Sequence, residues 1–392
     1  MKQGLAIEPM PAPEVSELVA PTFRLGYRPA LDGLRGVAIL AVLAYHLAPQ
    51  TFAGGFLGVD IFFVLSGFLI TTLLAQEKHR DGEIAFKPFY ARRALRLLPA
   101  LVVLLSVYFV VMMSRGASLK FTAAMIACVL FYASNWVMGY FGFEILGPMV
   151  HTWSLALEEQ FYLCWPFLLA KLLRLKLSPQ RIIHLLMAGF AASALYRAAP
   201  LLTGLPEGRA FKMFDLRADG LLIGCALGLA LSFNLFKPSP SLKRWLRVIA
   251  PIAATLLVCA CIAAVAGKPY MSLGGYSIIV ALVALIVLAV FVTPGGALTM
   301  ALQWSPLVWV GRLSYSLYLW HVPVISWLDI PTLPRPAMAG IQILASFIAA
   351  SLSFYAVERP FLFLKDRLRE QKPQAAPRLN QTFLCAEAEP RA

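Results

Sequence analysis

Eleven apolar stretches, each near the length needed to cross a bilayer, constrain this chain more than any other feature. They lie at about 31–48, 56–75, 97–114, 120–139, 152–170, 181–202, 217–236, 247–266, 274–293, 306–328 and 337–357. Roughly 17 to 25 apolar residues cover about 30 Å of hydrocarbon as a helix, and a helix satisfies its own backbone polar groups where water cannot. A chain of 392 residues that is 60% hydrophobic and only 14% charged is too apolar for an ordinary globular domain. The expected fold class is therefore an all-α polytopic membrane protein.

The 34 Lys and Arg against 20 Asp and Glu, net +14, lie mostly in short loops beside hydrophobic segments, which is a topology signal rather than a nucleic-acid grip. Six cations fall in 76–96, four in 171–181, four in 237–247 and seven from 358 onward, so these stretches are expected in the cytoplasm. Loops 49–55 and 140–150 have none and belong outside. Three crossings between 97 and 170 would then put the basic loop 171–181 on the wrong side. We therefore expect about ten transmembrane helices plus one re-entrant or buried hydrophobic segment, either 97–114 or 120–139. Asn135 and Trp136 make the second the less lipid-adapted of the two. Both termini then face the cytoplasm.

The first 26 residues are expected to form a flexible cytoplasmic tail, 27–365 the transmembrane domain, and 366–392 a disordered cytoplasmic tail. Residues 1–28 lack the apolar core and cleavage site of a signal peptide, so the first helix reads as a retained anchor. The six cysteines show neither C-x-x-C nor zinc spacing, and neither a disulfide nor a metal site is expected.

Ionisable residues inside such segments are rare and usually functional. Arg35 and His46 lie eleven residues apart in RPALDGLRGVAILAVLAYHLAP, which brings them to within roughly 20° on one helix face and about 16 Å apart along the axis. Asp60 starts the next segment on the same side as His46, a pairing that suits a base and its orienting carboxylate, or simply an interfacial His and a helix-starting Asp. Arg35 on the His46 face favours the functional reading. In HTWSLALEEQFYLCWPFLL, His151 and Glu158 are nearly in phase, Tyr162 lies one turn further, and Glu159 points about 100° away. An ion pair of one of these carboxylates with Arg35 or Arg217 competes with a functional role. Arg93 and Arg96 stand at i and i+3, suited to phosphates but equally to a cytoplasmic boundary. On these grounds alone His321 reads as a core histidine, Glu358 and Arg359 as an end-cap ion pair, and His79 and His184 have no supporting constellation. Arg217 and Asp219 suit either a structural or a functional role.

The successive stretches RPALDGLRGVAILAVLAYH, GFLGVDIFFVLSGFLIT, FYARRALRLLPA, HTWSLALEEQFYLCWP, SYSLYLWH and ERPF resemble the signatures of the transmembrane acyltransferase 3 family, over about residues 27 to 365. That resemblance implies a bacterial inner-membrane enzyme moving an acyl group, most often acetyl, from cytoplasmic acyl-CoA to a hydroxyl of a carbohydrate or glycolipid. It implies no bound cofactor, acyl-CoA as co-substrate, and membrane lipid as surroundings. By position, His46 matches the family's essential histidine with Arg35 as partner, and Arg93 and Arg96 match its donor-linked R-x-x-R motif. Asp60, Glu158 and His321 fall at its remaining polar positions. The extracytoplasmic SGNH domain of some members is expected to be absent, so the chain completes the transfer or hands the group to a separate extracytoplasmic partner.

The expected mechanism has His46 deprotonating the acceptor or carrying the acyl group, Asp60 orienting the ring, and Arg35 stabilising the thioester oxyanion. The rival from another class is a glycan or lipid transporter, since buried charges also mark substrate pathways.

Overall fold

The computed structural model describes residues 23, 25–142, 144–203, 214–235 and 238–370. All regular structure among them is helical. The helices are α1 (Pro29–Leu47), α2 (Gly58–Asp81), α3 (Phe86–Ser114), α4 (Leu119–Leu130), α5 (Ser134–Phe141), α6 (Thr152–Arg174), α7 (Pro179–Thr203), α8 (Phe214–Ser232), α9 (Pro240–Ala263), α10 (Tyr276–Val292), α11 (Ala297–Leu302), α12 (Ser305–Arg312), α13 (Ser314–Trp327), α14 (Arg335–Leu352) and α15 (Arg359–Glu370). Every apolar stretch expected to span is helical. Among the described residues seven helical runs are both long and apolar enough to cross a membrane. The protein is thus all-α and polytopic.

The stretch 306–328 is a bent pair, α12 and α13, hinged at Leu313. The stretch 337–357 continues from α14 through a π-helical turn, Ser353–Glu358, into α15. Helix therefore runs on to Glu370, past the point at which a disordered tail was expected to begin. Most of the expected N-terminal tail and residues 371–392 lie outside the described residues.

The segment 120–139 breaks into α4 and α5 at Tyr132, whose φ of 54° lies in the left-handed region. Twelve residues of α4 rise only about 18 Å, short of the hydrocarbon thickness. Arg115, just before the segment, reaches the carbonyl of Trp327 at the end of α13. Buried Asn135 explains the break, because it exchanges hydrogen bonds with Gln160 of α6 instead of facing lipid. Of the two segments weighed for a non-crossing role, 97–114 lies in a helix long enough to cross, whereas 120–139 is broken into pieces that are each too short.

Helices α1 and α2 form the centre. They are seated backbone to backbone on neighbours: a Cβ on Gly67 of α2 would stand 2.1 Å from the Leu221 carbonyl oxygen of α8, and one on Gly311 of α12 would stand 1.7 Å from that of Asp32 in α1. Only glycine permits such approach, the small-residue packing that membrane helices use when lipid offers no hydrophobic drive between them.

Candidate active site

Helix α1 presents Arg35 and His46 on one stripe. Arg35 Nε donates to Ser314 Oγ at 3.2 Å, tying α1 to the first turn of α13. His46 Nδ1 lies 2.9 Å from the Val42 carbonyl oxygen one turn back. A carbonyl only accepts, so the neutral ring carries its proton on Nδ1 and keeps the Nε2 lone pair. That is the form a general base or nucleophile requires.

This geometry corrects the role expected of Asp60. Its carboxylate does not orient His46; it forms an ion pair with Arg217 of α8, both side chains being 1% exposed. Asp60 lies on the face of α2 that packs on α8, and a guanidinium compensates a buried carboxylate far better than a neutral imidazole does. Arg217 also stacks over Tyr276 at 4.0 Å. Beside this pair Arg197 donates to Asp219 at 2.6 Å and to Ser277 at 2.6 Å. Arg197 was missed in the sequence, although an Arg sixteen residues into the apolar stretch 181–202 was the signal.

The ring that meets His46 is His321, centroid to centroid 4.9 Å, and His151 lies 5.3 Å beyond it. Three imidazoles from α1, α13 and the start of α6 are thereby brought into edge contact. His321 is fully buried, with Nδ1 2.7 Å from the Tyr318 carbonyl oxygen, so it too holds Nε2 unprotonated when neutral. Its Nε2 makes no hydrogen bond with any described residue. The core-histidine reading of His321 missed this cluster, because its members are far apart in the chain. Among the described residues no group of three or more His, Cys, Asp or Glu is arranged to hold a metal ion.

At the other end, near the basic loops, a cavity of about 250 Å³ opens between α1, α2, α3, α6 and α13. Arg35, Arg93, Arg96, Glu158, Glu159 and Tyr162 all line it. The carboxylates weighed against Arg35 and Arg217 find a different partner: Glu159 clamps Arg93, with Nε to Oε2 at 2.9 Å and a second bond from Nη2 to Oε1. The Arg93 guanidinium lies 3.1 Å over the Tyr162 ring. Glu158 accepts from Tyr162 Oη at 2.6 Å and from Ser66. Arg96 makes no hydrogen bond or ion pair with any described residue and faces the cavity mouth. The two members of the R-x-x-R pattern are therefore not equivalent, one being locked and the other free.

Tyr318 joins the two regions. It lines the cavity on one side and touches His151 and His321 on the other, at 5.4 and 5.5 Å between ring centroids. Its hydroxyl donates to the His151 carbonyl at 2.6 Å and so accepts from Ser154 Oγ at 2.5 Å. Polar groups thus run from Arg96 through Glu158 and Tyr318 to His46.

Glu358 and Arg359 do not form the expected end-cap pair. Glu358 is buried and accepts from Ser316 of α13, whereas Arg359 is exposed against the Tyr355 and Phe363 rings.

Comparison with known proteins decides the family. The acyltransferase 3 profile, described as an acyltransferase domain, matches residues 28–356. The chain belongs to the acyltransferase 3 family. Acyltransferase 3 relatives include the peptidoglycan O-acetyltransferase OatA of Listeria monocytogenes, 36% identical over 354 residues, covering 85% of this chain and 56% of that protein. A putative peptidoglycan O-acetyltransferase, YrhL of Bacillus subtilis, is 36% identical over 349 residues, covering 85% and 55%. The O-acetyltransferase OatA of Staphylococcus aureus is 33% identical over 350 residues, covering 85% and 57%. The chain spans about half the length of these relatives. No solved structure matches the chain.

Proposed function

We propose that this chain is a membrane O-acyltransferase that moves an acetyl group from cytoplasmic acetyl-CoA to a hydroxyl of an envelope carbohydrate. Its family and the names of its relatives support the acetyl group and the glycan acceptor. The observation that carries the mechanism is the Nδ1-protonated tautomer of His46, at the far end of a polar path from an arginine-lined cavity.

In this reading the thioester enters from the cytoplasmic side, with a phosphate on Arg96 and its pantetheine arm in the cavity. His46 Nε2 removes the acceptor hydroxyl proton as the oxygen forms its bond to the thioester carbonyl. The tetrahedral oxyanion collapses, the C–S bond breaks, and the CoA thiolate takes the proton back from the imidazolium. Arg35 lines the donor cavity, about 16 Å along the axis of α1 from His46, so its charge serves the entering donor and not the oxyanion expected of it. A step through an Nε2-acyl imidazole satisfies the same balance, the acceptor then attacking that carbonyl with His46 as leaving group. Both termini face the cytoplasm in this orientation, which the basic loops support.

The test is transfer from radiolabelled acetyl-CoA to isolated envelope glycan by protein reconstituted in liposomes. His46→Ala is expected to lose about two to four orders of magnitude in kcat, the range of general-base catalysis, while remaining folded. A fully active His46→Ala variant refutes the scheme, and wild-type protein that leaves acetyl-CoA untouched refutes the donor.

A further inference from the structure

A second cavity, of about 310 Å³, lies beside the first and is lined by Trp309, Arg312, Leu313, Phe354, Tyr355 and Arg359. Leu313 lines this cavity and the next two residues, Ser314 and Tyr315, line the other, so the two lie on either side of the first turn of α13. Glu358, next to Arg359, is bonded to Ser316 in that same turn, which holds the cavity wall to α13. The wall is the π-helical turn Ser353–Glu358. Such turns are rare and concentrate at functional sites.

The chemistry of the lining is specific. Trp309 Nε1 donates to the Tyr355 hydroxyl at 3.2 Å, which fixes two exposed aromatic rings side by side. The Arg359 guanidinium lies 5.9 Å over the Tyr355 ring. Arg312 reaches the Tyr27 hydroxyl at 2.6 Å and comes only within 3.9 Å of Asp32, with 55% of its side chain exposed. Two guanidiniums beside flat aromatic faces suit a ligand that joins phosphates to a planar base.

Charge counting in the first cavity shows why such a site is needed. Acyl-CoA carries a diphosphate and a ribose phosphomonoester, the latter alone worth about −1.5 to −2 at neutral pH. The three arginines of the first cavity, Arg35, Arg93 and Arg96, face two carboxylates, Glu158 and Glu159, which leaves the charge of one guanidinium uncompensated. One guanidinium cannot match three phosphates. Arg312 and Arg359 supply cations on the other side of the adjoining turn.

We propose that this second cavity holds the nucleotide end of acyl-CoA, with phosphates on Arg312 and Arg359 and adenine against Trp309 and Tyr355. The proposal rests on the acyl-CoA reading of the first cavity.

The test is binding to the full chain in lipid nanodiscs, using acetyl-CoA, adenosine 3′,5′-bisphosphate and S-acetylpantetheine as separate probes, for wild type and for the double variant Arg312→Gln, Arg359→Gln. Both positions are exposed, so the fold is retained. The variant is expected to lose about tenfold or more in affinity for the two nucleotide probes, as removal of charge-assisted contacts implies, with S-acetylpantetheine unaffected. Equal loss for all three probes, or none for any, overturns the proposal. A variant that keeps nucleotide affinity but co-purifies with less anionic phospholipid identifies the cavity as a lipid headgroup site and also overturns it. Wild-type protein that binds none of the three probes refutes the donor reading itself, whereas wild type that binds acetyl-CoA with no effect of the variant refutes only this site.

Discussion

His46 Nδ1 and the Val42 carbonyl oxygen are 2.9 Å apart, so the proton of the neutral imidazole is held within α1 itself. No side chain from another helix is needed to choose the tautomer. Nitrogen NMR of histidine-labelled protein in bilayers should show an unprotonated Nε2 at neutral pH for a resonance that disappears in His46→Ala. A protonated Nε2 there would exclude the direct-base scheme.

Asp60 and Arg217 should behave as a structural pair. Removing one partner of a buried ion pair typically costs about 3–5 kcal/mol. Asp60→Asn should therefore lower the thermal unfolding temperature in detergent, whereas replacing both residues by apolar ones of similar size should recover most of the loss. An Asp60→Asn protein of normal stability and reduced kcat would restore the catalytic role first expected of it.

Arg93 and Arg96 should separate in their effects. Arg96→Ala is expected to raise the KM for acetyl-CoA at unchanged stability, because no protein partner is lost. Arg93→Ala should reduce both donor affinity and stability, since it strips Glu159 of its cation and Tyr162 of its stacked guanidinium. Arg93→Lys should not rescue it, because an ammonium cannot reproduce the two-pronged contact. Thermal unfolding alongside steady-state kinetics distinguishes the two.

The histidine cluster makes His321 a positioning residue for His46. His321→Ala should lower kcat while leaving the KM for acetyl-CoA nearly unchanged, because the ring packs on His46 and not on the donor cavity. A variant with unchanged kcat would assign the contact to packing alone.

The helical architecture was legible because lipid imposes segment length and apolarity locally, residue by residue. The Arg35 and His46 stripe was legible for the same reason, since both lie on one helix. Pairings between helices were not. Arg93 and Glu159 are 66 residues apart and Arg217 and Asp60 are 157 apart, and no spacing rule connects them. Asp60 shows the failure most clearly: its neighbour in sequence was His46 across a short turn, yet α2 turns that carboxylate toward α8. Position along each helix could be read from the chain; azimuth around each helix axis required the packed bundle.

Gly67→Ala is expected to destabilise the protein by at least the roughly 1–3 kcal/mol typical of overpacking, because the obstacle is backbone and cannot swing aside. Thermal unfolding in detergent measures it, and a neutral effect would show that α2 and α8 can separate.

That seating also has a mechanical meaning. Helices in contact through their main chains have no layer of side chains on which to slide, so α1 and α2, with His46 and Arg35, act as a stator. The facing helices α3 and α6 meet the cavity through long side chains, and each contains an interior proline, Pro99 and Pro166, where a helix bends most readily. On the proposed donor route, widening of the passage for a pantetheine arm is expected at that wall, and amide exchange should be faster around the two prolines than along the stator.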